Sequence, residues 1–213
     1  MNKIIPAILS NKFDDFNEKL SRLKNFDLLQ IDVCDGKFVA GKTVQPDSLL
    51  KVKKHPELEI HLMVKDVNHY VEHFVHCNVQ TIVFHFEACK NSADVLEKIQ
   101  HIKSHCVKVG IAINPETSIL KIKQFLKLLD QVLIMTVHPG MQGQKFIPKM
   151  LEKIRELRKL DKKIAIEVDG GINAQTALLA KKNGANLFVV GSGILNAKSP
   201  KKAFENISKS LGF

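Results

Sequence analysis

Tryptophan is absent from the 213 residues, tyrosine occurs once, and Cys34, Cys77, Cys89 and Cys106 form no CxxC pair. The usual spacing signal for metal-binding or redox-active cysteines is therefore missing, and a reducing cytoplasm is the simplest compartment. No apolar run approaches the roughly eighteen residues that a membrane helix needs. The stretch Leu187 to Leu195 is interrupted by two glycines and a serine. The opening Met1-Asn2-Lys3-Ile4-Ile5-Pro6 lacks the apolar segment of a secretory signal. There is no basic arm and no interleaving of aromatics with the lysines, so the net charge of +10 argues neither for nucleic acid nor for a membrane surface. The runs Lys51-Val52-Lys53-Lys54, Lys121-Ile122-Lys123 and Lys162-Lys163 read as solvated faces, while the excess charge suits a small anionic metabolite.

What is present is alternation. With 45% hydrophobic and 25% charged residues the composition is that of an ordinary globular protein. Eight short apolar, β-branched runs are each followed by a stretch with helical apolar spacing. The strands are expected at 4–9, 28–33, 58–63, 81–86, 108–113, 131–137, 164–168 and 187–190. The helices are expected to start near Phe13, Pro46, Asn68, Ala93, Ser118, Pro148, Ala174 and Pro200. Nearly all-apolar strands alternating with helices imply a parallel sheet covered on both faces, and eight repeats favour closure into a (β/α)8 TIM barrel, one domain over 1–213. An open doubly wound sheet would carry a glycine-rich turn after its first strand, and Pro6-Ala7-Ile8-Leu9-Ser10 contains no glycine.

In such barrels the loops after the strands build the site, often with a phosphate held after strands seven and eight. Those loops carry Asp169-Gly170-Gly171-Ile172 and Gly191-Ser192-Gly193-Ile194, and the segment from His138 to Gln144 after strand six is placed to close over a ligand. Gln30 and Asp32 on strand two share one face, and His61 and Asp169 end strands three and seven. Carboxylates reaching opposite faces of one carbon suit inversion. One removes a proton beside a carbonyl and the other returns one from the far side, while a divalent cation held by the same groups stabilises the enediolate. Asp and His donors suit Zn, Fe, Mn or Co. His85 and Glu87 read equally well as support for the site or as structure. The remaining histidines, among them His55, His69, His73, His76, His101 and His105, read as surface residues.

At these residues the sequence resembles the ribulose-phosphate 3-epimerase family along its whole length. The matches are Ile31-Asp32-Val33, Asp35-Gly36, Phe38-Val39, His61-Leu62-Met63-Val64, Asn114-Pro115, Met135-Thr136-Val137, Pro139-Gly140, Gly143-Gln144-Lys145-Phe146, Glu167 to Ile172 and Gly191-Ser192. The resemblance implies interconversion of ribulose 5-phosphate and xylulose 5-phosphate, a step of the pentose phosphate pathway, by catalytic Asp32 and Asp169. It implies one divalent metal on Asp32, His61, Asp169 and the residue at position 30. Substrate contacts would come from His61, Met63, Met135, Gly140, Met141, Gln142, Gly143, Gly170, Gly171, Gly191 and Ser192. This chain departs from the family pattern with Ala7 for serine, Gln30 for histidine, Cys34 for methionine, Lys37 for histidine and Ala40-Gly41 for Pro-Asn. An amide oxygen is a poorer partner than imidazole for a borderline transition metal, which puts metal occupancy in question. Lys37 offers a charge that could stand in for part of the metal. Two alternatives stay open: an epimerase for another ketose phosphate, or a non-catalytic sugar-phosphate-binding paralogue. Association into a homo-oligomer is also left open.

Overall fold

The alternation read from the sequence becomes a closed ring of eight parallel strands, in the order β1 to β8, in a computed structural model that describes residues 2–43, 45–52 and 55–212. Met1, Lys53 and Lys54, on which part of the reading above falls, lie outside the described residues. The elements run β1 (Lys3–Ile8), α1 (Phe13–Leu23), β2 (Leu28–Cys34), α2 (Pro46–Leu50), β3 (Glu57–Met63), α3 (Val67–Phe74), β4 (Val79–His85), α4 (Ser92–Ser104), β5 (Lys108–Ile113), β6 (Gln131–Met135), α5 (Met150–Leu160), β7 (Ala165–Asp169), α6 (Ala174–Asn183), β8 (Leu187–Val190), α7 (Ser192–Leu195) and α8 (Pro200–Ser210). No helix among the described residues is long and apolar enough to cross a membrane.

Local chemistry sets the boundaries. In α1 the buried Phe16, Leu20 and Leu23 fall on one face at helical spacing. Helix α6 opens on a capping box, in which Asn173 accepts from the Gln175 and Thr176 backbone while Thr176 Oγ1 accepts from Asn173 N; it closes on left-handed Gly184. The helix expected near Ser118 is instead two 3-10 segments, Ile119–Lys121 and Lys123–Leu128. The buried Ile119, Ile122 and Phe125 recur every third residue, the period of a 3-10 turn, and Ser118 Oγ accepts from Leu120 N to close its start. The fourth strand ends at His85, one residue earlier than expected, because the chain turns into a short 3-10 segment at Phe86. The short α7 was not foreseen.

A continuous apolar shell of Ile, Val, Leu and Phe fills the space between strands and helices. Inside the ring, among the described residues, apolar side chains form two small clusters, one around Val83, Ala112, Leu133 and Met135 and one around Ile5, Ala7, Leu28 and Val189. The remaining interior is polar: Gln30, Glu59, His61, Thr81, His85, Gln131 and Glu167 are all buried. Below the mouth, Gln131 Nε2 donates to Glu59 Oε2 at 2.8 Å and to Glu167 Oε2 at 2.9 Å. Gly110 makes room for this, since a Cβ there would lie 2.8 Å from Gln131 Cγ. Burial raises both carboxyls above the ordinary range, and the Glu59 charge pushes Glu167 further up. Glu167 therefore holds a proton that the unfolded chain gives up, and the wild type loses stability as pH rises through the folded value. Glu167→Gln, which carries no ionisable proton, is expected to stabilise the chelator-treated protein by about 1–3 kcal/mol at neutral pH. The gain should shrink as pH falls towards the ordinary Glu value of 4.5. Urea denaturation across pH measures it, and a gain that does not vary with pH would show that no proton is involved.

Candidate active site

The polar groups singled out at the strand ends converge. Asp32 on β2 is in register with His61 on β3, and Asp169 ends β7 beside Met135 of β6. His61 Nδ1 lies 3.1 Å from Asp32 Oδ1 and 3.6 Å from Asp169 Oδ2. Gln30 Nε2 donates to Asp32 Oδ1 at 2.7 Å and to Asp169 Oδ2 at 3.1 Å, so one amide bridges carboxylates carried by two strands. Burial first, and then the negative charge of Asp32, push Asp169 up to about 7. Burial disfavours charge on His61, but the hydrogen bond and charge of Asp32, with the charge of Asp169, outweigh it and raise the imidazole.

These groups fit a divalent cation. One ligand atom each from Asp32, His61 and Asp169 lies within 4.8 Å of the others. Two carboxylates that repel one another are what a cation would relieve, and Gln30 Oε1 is buried without a hydrogen-bond partner among the described residues. A side-chain amide that turned over would present that oxygen.

Behind His61 runs a second line of contacts. His61 Nε2 stands 2.9 Å from His85 Nε2, and His85 Nδ1 stands 3.4 Å from Glu87 Oε2. Glu87 Oε1 accepts from Asn114 N at 2.8 Å and from Thr117 Oγ1. Burial pushes His85 down to about 4, so it is neutral and accepts from His61 Nε2–H. His61 Nδ1 faces the two aspartates and donates to Asp32, a proton it would have to give up to become a cation ligand. His85 and Glu87 therefore support the site.

Above the aspartates a cavity of about 500 Å3 opens at the C-terminal ends of the strands, within the size range of small-ligand pockets. Asp32, Met63, Met135, Gly140, Met141, Gln142, Gly143, Asp169, Gly170, Gly171, Gly191 and Ser192 all line it. His61 and Gln30 do not; they are fully buried beneath it, each hydrogen-bonded to Asp32. Gly171 has φ +65°, and a Cβ there would lie 2.4 Å from Phe146 N, so only glycine lets the β7 loop pass under the segment after β6. Ala7 also lines the cavity, placing its missing hydroxyl at the pocket wall. Sequence reasoning missed Lys145, Asn173 and Thr176 as lining residues; the last two are also the cap of α6, a signal legible as Asn-x-x-Thr. Two neighbouring residues stand apart from the chemistry. Cys34 is buried, its thiol pushed up to about 12 by burial and by Asp32 and Asp35, and Lys37 is exposed and outside the lining.

Comparison with known proteins agrees with this arrangement. Residues 3–195 match the model of the ribulose-phosphate 3 epimerase family. A Bacillus subtilis ribulose-phosphate 3-epimerase is 36% identical over 99% of this chain and 100% of its own length. The cytoplasmic isoform from Oryza sativa subsp. japonica is 34% identical over 98% of this chain and 94% of its own. Among solved structures, 3-hexulose-6-phosphate synthase from Salmonella typhimurium superposes with a TM-score of 0.72 at 17% identity, covering 99% of this chain and 98% of that one, which speaks to the fold alone. A match of this length, with relatives a third identical from end to end, places the chain in the ribulose-phosphate 3-epimerase family.

Proposed function

We propose that this chain is a carbohydrate-phosphate epimerase that interconverts D-ribulose 5-phosphate and D-xylulose 5-phosphate. The observation that carries the reading is the pairing of Asp32 and Asp169 across one amide and one imidazole, directly beneath a cavity lined by the glycine loops after β6, β7 and β8. The substrate phosphate lies against the backbone N–H groups of Gly170, Gly171, Gly191 and Ser192, leaving the sugar carbons over the aspartates. One aspartate takes the proton from carbon three and the other delivers a proton to the opposite face. Burial and the charge of Asp32 raise Asp169 in the ion-free site and so favour its protonated form, the one that can donate a proton. Met63 and Met135 give the enediolate plane an apolar, polarisable wall that keeps water from the reacting carbon.

Asp32, His61 and Asp169 would hold a divalent ion, with the Gln30 amide oxygen as a fourth donor. Bound there, such an ion would supply positive charge that favours the enediolate. One imidazole, two carboxylates and an amide oxygen form a harder donor set than two imidazoles with two carboxylates, which favours Mn, Fe or Co over Zn. The described residues form one closed barrel, which makes the chain one catalytic unit in this reading.

The test is incubation with ribulose 5-phosphate in deuterated water, with Mn, Fe, Co or Zn or with chelator. Deuterium should enter at carbon three together with xylulose 5-phosphate formation. Exchange with a six-carbon ketose phosphate but not with ribulose 5-phosphate would move the substrate, as the loss of a hydroxyl at Ala7 would motivate. Binding with no exchange for any sugar phosphate would make the chain a binding protein.

A further inference from the structure

A second group of metal-type donors lies far from this chemistry. Histidines 69, 73, 76, 101 and 105, five of the nine in the chain, fall on α3, on α4 or just after their C-terminal ends. Those ends lead into the first residues of β4 and β5, so this face lies at the opposite end of the barrel from the cavity. His101 and the residue that caps α4, His105, are four apart and share one helix face, and Glu72 of α3 reaches across to both. His101 Nε2 lies 2.6 Å and His105 Nε2 3.7 Å from Glu72 Oε1, and one ligand atom from each of the three lies within 4.8 Å of the others. Tetrahedral ligands at zinc bond lengths sit roughly 3.3 Å apart, a separation these contacts bracket. The two imidazoles are half-buried and held at 5.3 Å between ring centres, while the Glu72 side chain is 56% exposed and leaves a path for an ion and for water.

We propose that Glu72, His101 and His105 form a second site, for a late first-row divalent ion of the zinc or nickel class, that ties α3 to α4 at the end of the barrel away from the active site. Without an ion, His101 and Glu72 make only a hydrogen bond at the surface, which contributes little to stability. With one, two peripheral helices are joined through three protein bonds and the folded state gains the binding free energy. The three lie at the opposite end of the barrel from Asp32, His61 and Asp169, so the two sites fill independently.

The experiment is calorimetric titration of Zn2+ into the chelator-stripped full chain, run on wild type, on His101→Ala/His105→Ala and on Asp169→Asn, with thermal melts of each. The proposal expects one fewer zinc in the double variant than in wild type, and unchanged surface binding in Asp169→Asn. Zinc at a hundredfold excess over the surface dissociation constant should raise Tm by about 5–10 °C in Asp169→Asn, a rise that vanishes when the two histidine changes are added. Epimerase activity of the double variant should match wild type. Glu72→Gln, which keeps a hydrogen-bond acceptor for His101, should fold as wild type does and weaken zinc at least tenfold. Equal stoichiometry in wild type and the double variant would overturn the proposal. Loss of the surface zinc on His69→Ala/His73→Ala with retention in His101→Ala/His105→Ala would also overturn it, by assigning the ion to α3 alone.

Discussion

Asp32→Asn and Asp169→Asn should each lower kcat/KM for epimerisation by at least about 10^3-fold, yet the two variants should differ in which substrate still exchanges its proton. Inversion needs a base on one face of carbon three and an acid on the other, and the two carboxylates come from β2 and β7, on different sides of the mouth. An amide in place of either removes one proton carrier and leaves the other. Each variant should therefore wash deuterium into only one of the two epimers, and the epimer should be opposite in the two proteins. Mass spectrometry of ribulose 5-phosphate and xylulose 5-phosphate, each recovered after incubation in deuterated water, reads this directly. Loss of exchange from both epimers in both variants would mean that one aspartate only positions the other. Retained epimerisation in either would remove that residue from the reaction. Amides are close in size and keep a hydrogen-bond acceptor for His61 and Gln30, so a folding defect is not expected to obscure the result.

The fold was legible because its signal is repetition. Eight apolar runs with eight helical stretches leave few topologies, and the strand cores fell where β-branched residues cluster. Element ends were less legible, since they depend on contacts between segments distant in sequence. The segment from Ile119 to Leu128 has helical composition, yet its every-third-residue burial against the barrel winds it as 3-10 turns. At the site, Asp32, His61 and Asp169 could be read from strand-end position alone. The buried Glu59, Gln131 and Glu167 could not, because each looks like an ordinary strand residue until the register of β3, β6 and β7 brings all three to one height in the barrel. His85 was undecidable for the same reason. Its role depends on a 2.9 Å contact with His61 on the neighbouring strand.

Under the proposed function, Gln30→His should tighten binding of Zn2+ at the aspartates by about 10- to 100-fold. In the structure the amide directs its NH2 at both carboxylates, where a cation would have to bind, and its carbonyl oxygen is buried without a hydrogen-bond partner among the described residues. An ion arriving there competes with two hydrogen bonds. The amide must turn over to become a ligand, and turning it over breaks both bonds from its NH2 to the carboxylates. Binding is thus opposed by the loss of two hydrogen bonds to carboxylates, each worth about 1.5–3 kcal/mol, before the weaker donor is counted. A neutral imidazole at position 30 makes no such bridge and offers a nitrogen that borderline ions prefer. Titration with a fluorescent zinc chelator as competitor measures the change, and the same variant should shift the activating metal from Mn or Co towards Zn. An unchanged zinc affinity would place Gln30 outside the metal's coordination shell. Its amide would then act only as the bridge that holds Asp32 and Asp169 together, and the carboxylates and His61 would have to bind the ion unaided.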